Sequence, residues 1–163
     1  MIRFALAAAL AVAPVAAQAP VETPSLAWMH GEWAGTGTMF GRPSEVTISA
    51  APALEGQATA MVYKARVAAA EGKPEIRFEG RAIFRAGKGG KVTGRWSDSA
   101  GNFHAIGGWS EARALTTHWG DAATEIGRST YRLGEDGSLK IADYSLRPDG
   151  SWREFASASY RKR

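Results

Sequence analysis

The sequence contains no cysteine among its 163 residues. This absence excludes disulfide bonds, zinc–thiolate sites and thiol nucleophiles, so the fold must be held together by its apolar core. The chain is long enough to build one domain with a sizeable core. Beyond the N-terminus, no apolar run approaches the ~20 residues of a membrane-spanning helix. We therefore expect no stable membrane insertion.

The sequence also lacks the short motifs that identify many enzymes. Gly35-Thr36-Gly37 is followed by further strand-like sequence instead of a helix, which is not the pattern of a nucleotide-binding loop. Gly107-Gly108-Trp109-Ser110 differs from the G-x-S-x-G nucleophile elbow. The three histidines show no standard metal-ligand spacing. No catalytic set and no metal site is predicted.

The chain has no massed charge of one sign. Its net charge is +4, but the basic residues are scattered and alternate with apolar residues, as on a solvated outer face. A nucleic-acid-binding domain concentrates its basic residues on one surface. We therefore expect no nucleic-acid partner.

An apolar stretch does occur at the N-terminus, and residues 1–19 are typical of a secretory signal peptide. An arginine precedes a short apolar region, and Val15-Ala16-Ala17 provides small residues for cleavage after Ala17. A second candidate cleavage site is Ala17-Gln18-Ala19. We expect a periplasmic or secreted protein, and an uncleaved N-terminal anchor is the alternative.

After a flexible lead at 20–25, the domain at 26–163 is rich in short strand-like runs separated by Gly, Pro and Asx turns. One helical turn is expected at 26–30. The predicted strands are 32–41, 44–53, 57–69, 75–86, 91–98, 102–109, 113–119, 124–133, 138–146 and 151–161. The clearest is the run from Ile76 to Arg85, in which apolar or small residues alternate with charged ones, with Ile83 as the one exception.

Short turns between consecutive strands predict an antiparallel meander. The segment 147–151, Arg-Pro-Asp-Gly-Ser, fits a type I turn with a left-handed glycine. A long meander either exposes its edges or closes, and closure removes the edges. We therefore predict an all-β fold, a single antiparallel up-and-down β-barrel of 8–10 strands. A two-sheet sandwich is the alternative.

The first strand carries a resemblance to a known family. Gly31-x-Trp33 in this strand, with Tyr160-Arg161 in the last, resembles the calycin pattern of lipocalins, in which the last-strand arginine packs over the first-strand tryptophan. The resemblance therefore implies that Arg161 covers Trp33 and closes one barrel end. The opening from Leu26 to Gly37, with later blocks at 96–101, 127–131 and 149–152, is similar to secreted bacterial lipocalin-like families of unknown function.

The opening is also similar to that of nitrobindin-type haem barrels. Those barrels bind haem iron through a histidine near the C-terminus, and the tail from Phe155 to Arg163 has none. Haem binding is therefore not carried over from the resemblance, and no cofactor is expected.

The candidate ligand site lies on the predicted strands that contain two of the three histidines. If the loop at 110–112 has an odd length, His104 faces His118 and Ile106 faces Thr116. If the turn between Asp98 and Asn102 is a three-residue loop, Trp96 also lies opposite His104. The predicted ligand-binding residues on this side are Trp96, His104, Ile106, Thr116 and His118. The opposite parity is the alternative inward face, and it contains Phe103, Ala105, Trp109, Leu115 and Trp119.

Arg128 is the sixth candidate ligand-binding residue. It shares its parity with Ile126 and Thr130, and an inward arginine would need Asp143 or an anionic ligand as its partner. An outward Arg128 on a solvated face is equally compatible with the pattern.

Three functions follow from a barrel of this kind. The favoured one is an exported protein that binds a small apolar or aromatic ligand inside the barrel. A lipocalin-like enzyme that uses His104 or His118 is the second. A barrel plugged by its own tryptophans and methionines, with a structural or interaction role, is the third. The volume of the interior distinguishes the last from the first two.

Overall fold

The structure is a computed structural model that describes residues 25–121 and 123–163. The expected signal peptide at 1–19 lies outside the described residues, as does the expected lead up to residue 24. Short 3-10 helices span Ala27–Met29 and Lys88–Gly90, and the first confirms the predicted helical turn. In the described ranges, no helix has the length and hydropathy that a membrane crossing requires.

Ten β-strands make up most of the described structure. They are β1 (Gly31–Met39), β2 (Arg42–Ala53), β3 (Ala58–Val67), β4 (Ile76–Ala86), β5 (Lys91–Asp98), β6 (Phe103–Glu111), β7 (Ala114–Gly120), β8 (Ile126–Leu133), β9 (Leu139–Leu146) and β10 (Trp152–Lys162). Each predicted strand is present, and each boundary lies within two residues of the prediction.

The strands form one closed sheet. Each pairs antiparallel with its neighbours in sequence, and β1 also pairs with β10, so the barrel has no edge strand. The prediction of an all-β, antiparallel up-and-down barrel of 8–10 strands is confirmed, and the two-sheet sandwich is wrong. The fold is consistent with the calycin and lipocalin-like architecture.

The alternating strand directions collect the loops at two ends of the barrel. We call the end with the loops after β2, β4, β6 and β8 the base, and the end with the loops after β1, β3, β5, β7 and β9 the mouth. At the mouth, the Gly150 N–H donates to the carbonyl oxygen of Arg147 at 2.9 Å, and Gly150 has a φ of 82°. The predicted type I turn with a left-handed glycine is therefore present.

The base is closed by the first 3-10 helix and the start of β1. Leu26, Met29 and Trp33 are buried there, and the Trp33 Nε1–H donates to the carbonyl oxygen of Met29 at 2.8 Å. This hydrogen bond satisfies the indole nitrogen inside the core. The ammonium of Lys162 lies 5.4 Å from the centre of the Trp33 ring.

The predicted stacking of Arg161 on Trp33 is therefore wrong. Trp33 pairs with Lys162, whereas Arg161 pairs with Ala34. Adjacent residues of a strand point to opposite faces, so Arg161 lies on the outer wall. Its guanidinium donates to the backbone oxygen and carboxylate of Asp136, at 2.7 and 2.9 Å.

Candidate functional site

A cavity of about 580 Å³ lies in the part of the barrel interior nearest the mouth. Small-molecule sites typically have volumes of ~300–1,000 Å³. The apolar and aromatic lining residues are Met39, Phe40, Met61, Tyr63, Ile76, Phe78, Ala100, Trp96, Ile106, Trp119, Tyr131, Ile141 and Phe155. The polar lining residues are Asp98, Asn102, His104, Thr117, Thr124, Glu125, Ser129, Asp143, Ser145 and Arg153.

One wall of the cavity is an aromatic cluster from β3, β4 and β5. The rings of Phe78 and Trp96 are stacked with centres 6.3 Å apart, and the Tyr63 ring lies 6.4 Å from that of Trp96. The Trp96 indole occupies the space in which a Cβ atom at Gly80 would lie, only 2.1 Å from the ring. Glycine at this position therefore lets the indole lie against the neighbouring strand.

A second aromatic cluster comes from β6, β7 and β10. The centre of the Trp119 ring lies 5.7 Å from that of His104 and 6.3 Å from that of Phe155. Phe155 also stacks on Phe40 at the mouth, with ring centres 5.7 Å apart. The two clusters give the cavity large π-faces, which suit aromatic or apolar ligands.

The polar groups of the first cluster are paired within the protein. The Trp96 Nε1–H donates to the Asp98 carboxylate at 2.8 Å, and Asp98 also accepts from Asn102 and from the backbone N–H of Ala100. Burial opposes ionisation, but these hydrogen bonds outweigh it and hold the pKa of Asp98 below its usual range. Asp98 therefore fixes Trp96 and the adjacent loop.

The second aromatic cluster also has a polar neighbour, Asp143, which lies on the inner face of β9. It pairs across the sheet with Ser129, and the Ser129 hydroxyl accepts from the Trp119 Nε1–H at 3.1 Å. The Ser129 proton then remains for Asp143. Burial raises the pKa of Asp143 to about 6; the Ser129 hydrogen bond opposes this rise, and the nearby Glu154 charge adds to it.

Three tyrosines share the interior with this carboxylate. Burial raises the pKa of Tyr63, Tyr131 and Tyr160, and the charge of Asp143 contributes to each rise. Their hydroxyl groups consequently stay neutral and remain hydrogen-bond donors. Asp143 is thus the group in this cluster whose charge changes near neutral pH.

Three of the six predicted ligand-binding residues do line the cavity together. Trp96, His104 and Ile106 all face inward, and Trp96 is paired with His104 as predicted. They share a face because the length of the loop at 99–102 places Trp96 on β5 directly opposite His104 on β6.

The predicted positions of Thr116 and His118 are wrong. In the structure, Trp109 pairs with Thr116 and Gly107 with His118, because the β6–β7 connection has an even length. A change of one residue in register moves every side chain of a strand to the other face. Thr116 therefore lies in a shallow outer depression, whereas Thr117 and Trp119 face the cavity.

The inward orientation of Arg128 is also wrong. Arg128 pairs with His118 on the outer wall, and its guanidinium lies 4.6 Å from the ring centre of Trp152 and 4.7 Å from that of Tyr144. These contacts are cation–π geometry. Arg128 does not contact the interior carboxylate of Asp143.

Sequence patterns alone did not identify Asp143 as a cavity residue in its own right. A usable signal was present, since Leu139, Ile141 and Asp143 have the same parity and the first two are buried. Trp119 belonged to the alternative inward face, of which Leu115 is also buried, whereas Phe103 and Trp109 are exposed. The true inward face thus combines one parity of β6 with the other parity of β7.

Among the residues described, no group of three or more His, Asp or Glu side chains is arranged to hold a metal ion. Comparison with known proteins adds no family, since no protein-family model and no curated protein matches the chain. The class that fold and site define is a closed ten-stranded antiparallel barrel with an aromatic-lined internal cavity.

Proposed function

We propose that the protein binds a small, largely apolar or aromatic molecule inside the barrel. The observation that carries the proposal is the cavity of about 580 Å³ lined by aromatic side chains and opening at the mouth. Barrels of similar size hold one small ligand or are filled by their own side chains. The volume and the π-faces of Trp96 and Trp119 favour the first of these.

Of the two alternatives, the plugged barrel is disfavoured by the same cavity. The enzyme alternative is weakened because its two histidines do not face the same side of the sheet. His104 faces the cavity, whereas His118 lies outside between Trp109 and Trp152. A single His104 against the Trp119 ring is compatible with orienting a ligand.

The proposal also includes export to the periplasm or the medium. Its support is the signal-like sequence at 1–19. A ligand carrier in either compartment needs no disulfide if its core is large enough, and this chain has no cysteine.

A fluorescence titration tests the binding function. The probe is N-phenyl-1-naphthylamine, a neutral aromatic dye that fluoresces when it leaves water. We expect saturable binding to the wild-type protein, weakened roughly tenfold in Trp96→Ala and Trp119→Ala by the loss of aromatic contacts. Trp109→Ala is the matched control, since Trp109 is 61% exposed on the outer wall. Equal effects of all three variants, or no saturable binding, would overturn the proposal.

A further inference from the structure

Asp143 has no cationic partner among residues 25–121 and 123–163. None of the ion pairs in these ranges includes it. Its neighbour is the Ser129 hydroxyl, at the facing position of β8. Asp143 is half-buried in the cavity wall, and a carboxylate partly withdrawn from water is costly unless an opposite charge or hydrogen bonds compensate it. The cavity wall therefore carries a negative charge that has a hydrogen bond from Ser129 but no cation beside it in these ranges.

Two other polar groups of the inner wall, the Asp98 carboxylate and the Trp119 indole N–H, have partners within the protein. Asp98 accepts from Trp96 and Asn102, and Trp119 donates to Ser129. Glu125 and Arg153 are charged, but both are exposed at the mouth. Asp143 is thus the charged group inside the barrel that is left for a ligand to satisfy.

The surroundings of this charge are aromatic. Tryptophan and phenylalanine rings present electron-rich faces, which attract cations and repel anions. We propose that the cavity selects a protonated amine carried on an aromatic or apolar body, with the ammonium beside Asp143 and the body against Trp96 and Trp119. This inference rests on the proposed binding function and names the class of its ligand.

Two other ligand classes fit the cavity less well. A carboxylate ligand would bring a second negative charge next to Asp143, and like charges at close range disfavour binding. A neutral alcohol can donate one hydrogen bond, but it leaves the charge uncompensated. The pKa of about 6 means that Asp143 is mostly ionised at neutral pH, where alkylamines are protonated.

Isothermal titration with three matched compounds tests this selectivity. They are 2-(1-naphthyl)ethylamine, 2-(1-naphthyl)ethanol and 1-naphthaleneacetic acid, which share a ring system and differ in the head group. For the wild-type protein at neutral pH, we expect the amine to bind at least tenfold more tightly than the alcohol, and the acid to bind most weakly. Equal affinities, or a preference for the alcohol or the acid, would overturn the proposal.

Substitutions then locate the ammonium. Asp143→Asn should remove the preference for the amine while leaving the affinity for the alcohol within about twofold. Asp143→Ser is the second charge-free variant and covers the case in which the amide does not fold. Glu111→Gln is the matched control, because Glu111 is exposed at the end of β6 near the base. An amine preference that survives in a folded variant without Asp143 would contradict the assignment.

The outcome is distinguishable from failure of the binding function itself. If N-phenyl-1-naphthylamine binds inside the barrel and the amine shows no preference, the ligand class is wrong and the binding function stands. If neither the dye nor any naphthyl compound binds, both proposals fail.

Discussion

The Trp119 indole occupies the place where Gly127, on the neighbouring strand, would carry a side chain. A Cβ atom at Gly127 would lie 1.9 Å from the ring, and the same relationship holds between Trp96 and Gly80 at 2.1 Å. Each cavity tryptophan thus depends on a glycine of the next strand. The two glycines shape the site although neither lines the cavity.

Adding one methyl group at either glycine should displace its tryptophan. We expect Gly80→Ala and Gly127→Ala to lower the free energy of unfolding by ~1–3 kcal/mol through overpacking and to weaken dye binding. Gly107→Ala is the control, since a Cβ atom there meets nothing within 4 Å. Urea unfolding and dye titration measure both effects. Loss of binding in the Gly107 variant alone would contradict the prediction.

Asp143 should make stability depend on pH. Its pKa is raised to about 6 in the folded protein, whereas an unfolded aspartate titrates near ~3.9. The folded state therefore binds more protons between these values, and stability falls as the pH rises from about 4 through 6.

The matching variant is Asp143→Asn. Its free energy of unfolding relative to the wild type should rise across this pH window by ~2–3 kcal/mol and then level off. Urea midpoints at intervals of pH give the two curves. If the curves run parallel, the carboxyl is not perturbed by burial.

Closure of the base should depend on Trp33 far more than on the basic residues around it. Trp33 is 2% exposed, so Trp33→Ala should cost ~3–5 kcal/mol as a core truncation. Lys162→Ala removes an exposed cation–π contact worth ~0.5–1 kcal/mol. Arg161→Ala should have little effect, because its partner Asp136 is exposed. Denaturant midpoints of the three variants measure these losses of stability. A larger loss of stability in Arg161→Ala than in Trp33→Ala would contradict the prediction.

Export is tested on the protein recovered from the host. We expect N-terminal sequencing to begin at Gln18, or at Pro20 if the second cleavage site is used. Protein outside the cytoplasm with Met1 intact would contradict cleavage.

The strands and turns could be predicted from sequence because their signals are local. Alternation in β4 and the glycine at position 150 each identify an element without reference to the rest of the chain. Register is less local. The assumed length of a single loop decided whether His118 or Trp119 faces inward, and the even length placed Trp119 there.

The site was harder to predict than the fold for a related reason. Asp143 has the alternation of a core position, but acidic residues are seldom buried, so the pattern alone indicated a partner for an arginine. Its surroundings depend on Ser129 and Trp119, which two neighbouring strands bring to it. Similarly, Lys162 and not Arg161 covers Trp33 because of the register between β1 and β10.

The seam between β1 and β10 has a consequence for how the protein folds. It pairs the beginning of the domain with its end, Gly35 with Tyr160, while the other ladders join neighbouring strands. Contacts between distant parts of a chain form slowly, because the loop between them must be ordered first. We expect the seam to form last, so that until then β1 and β10 are open edges on which two molecules could pair. Pulsed hydrogen exchange during refolding would show late protection of seam amides, and early protection there would exclude this order.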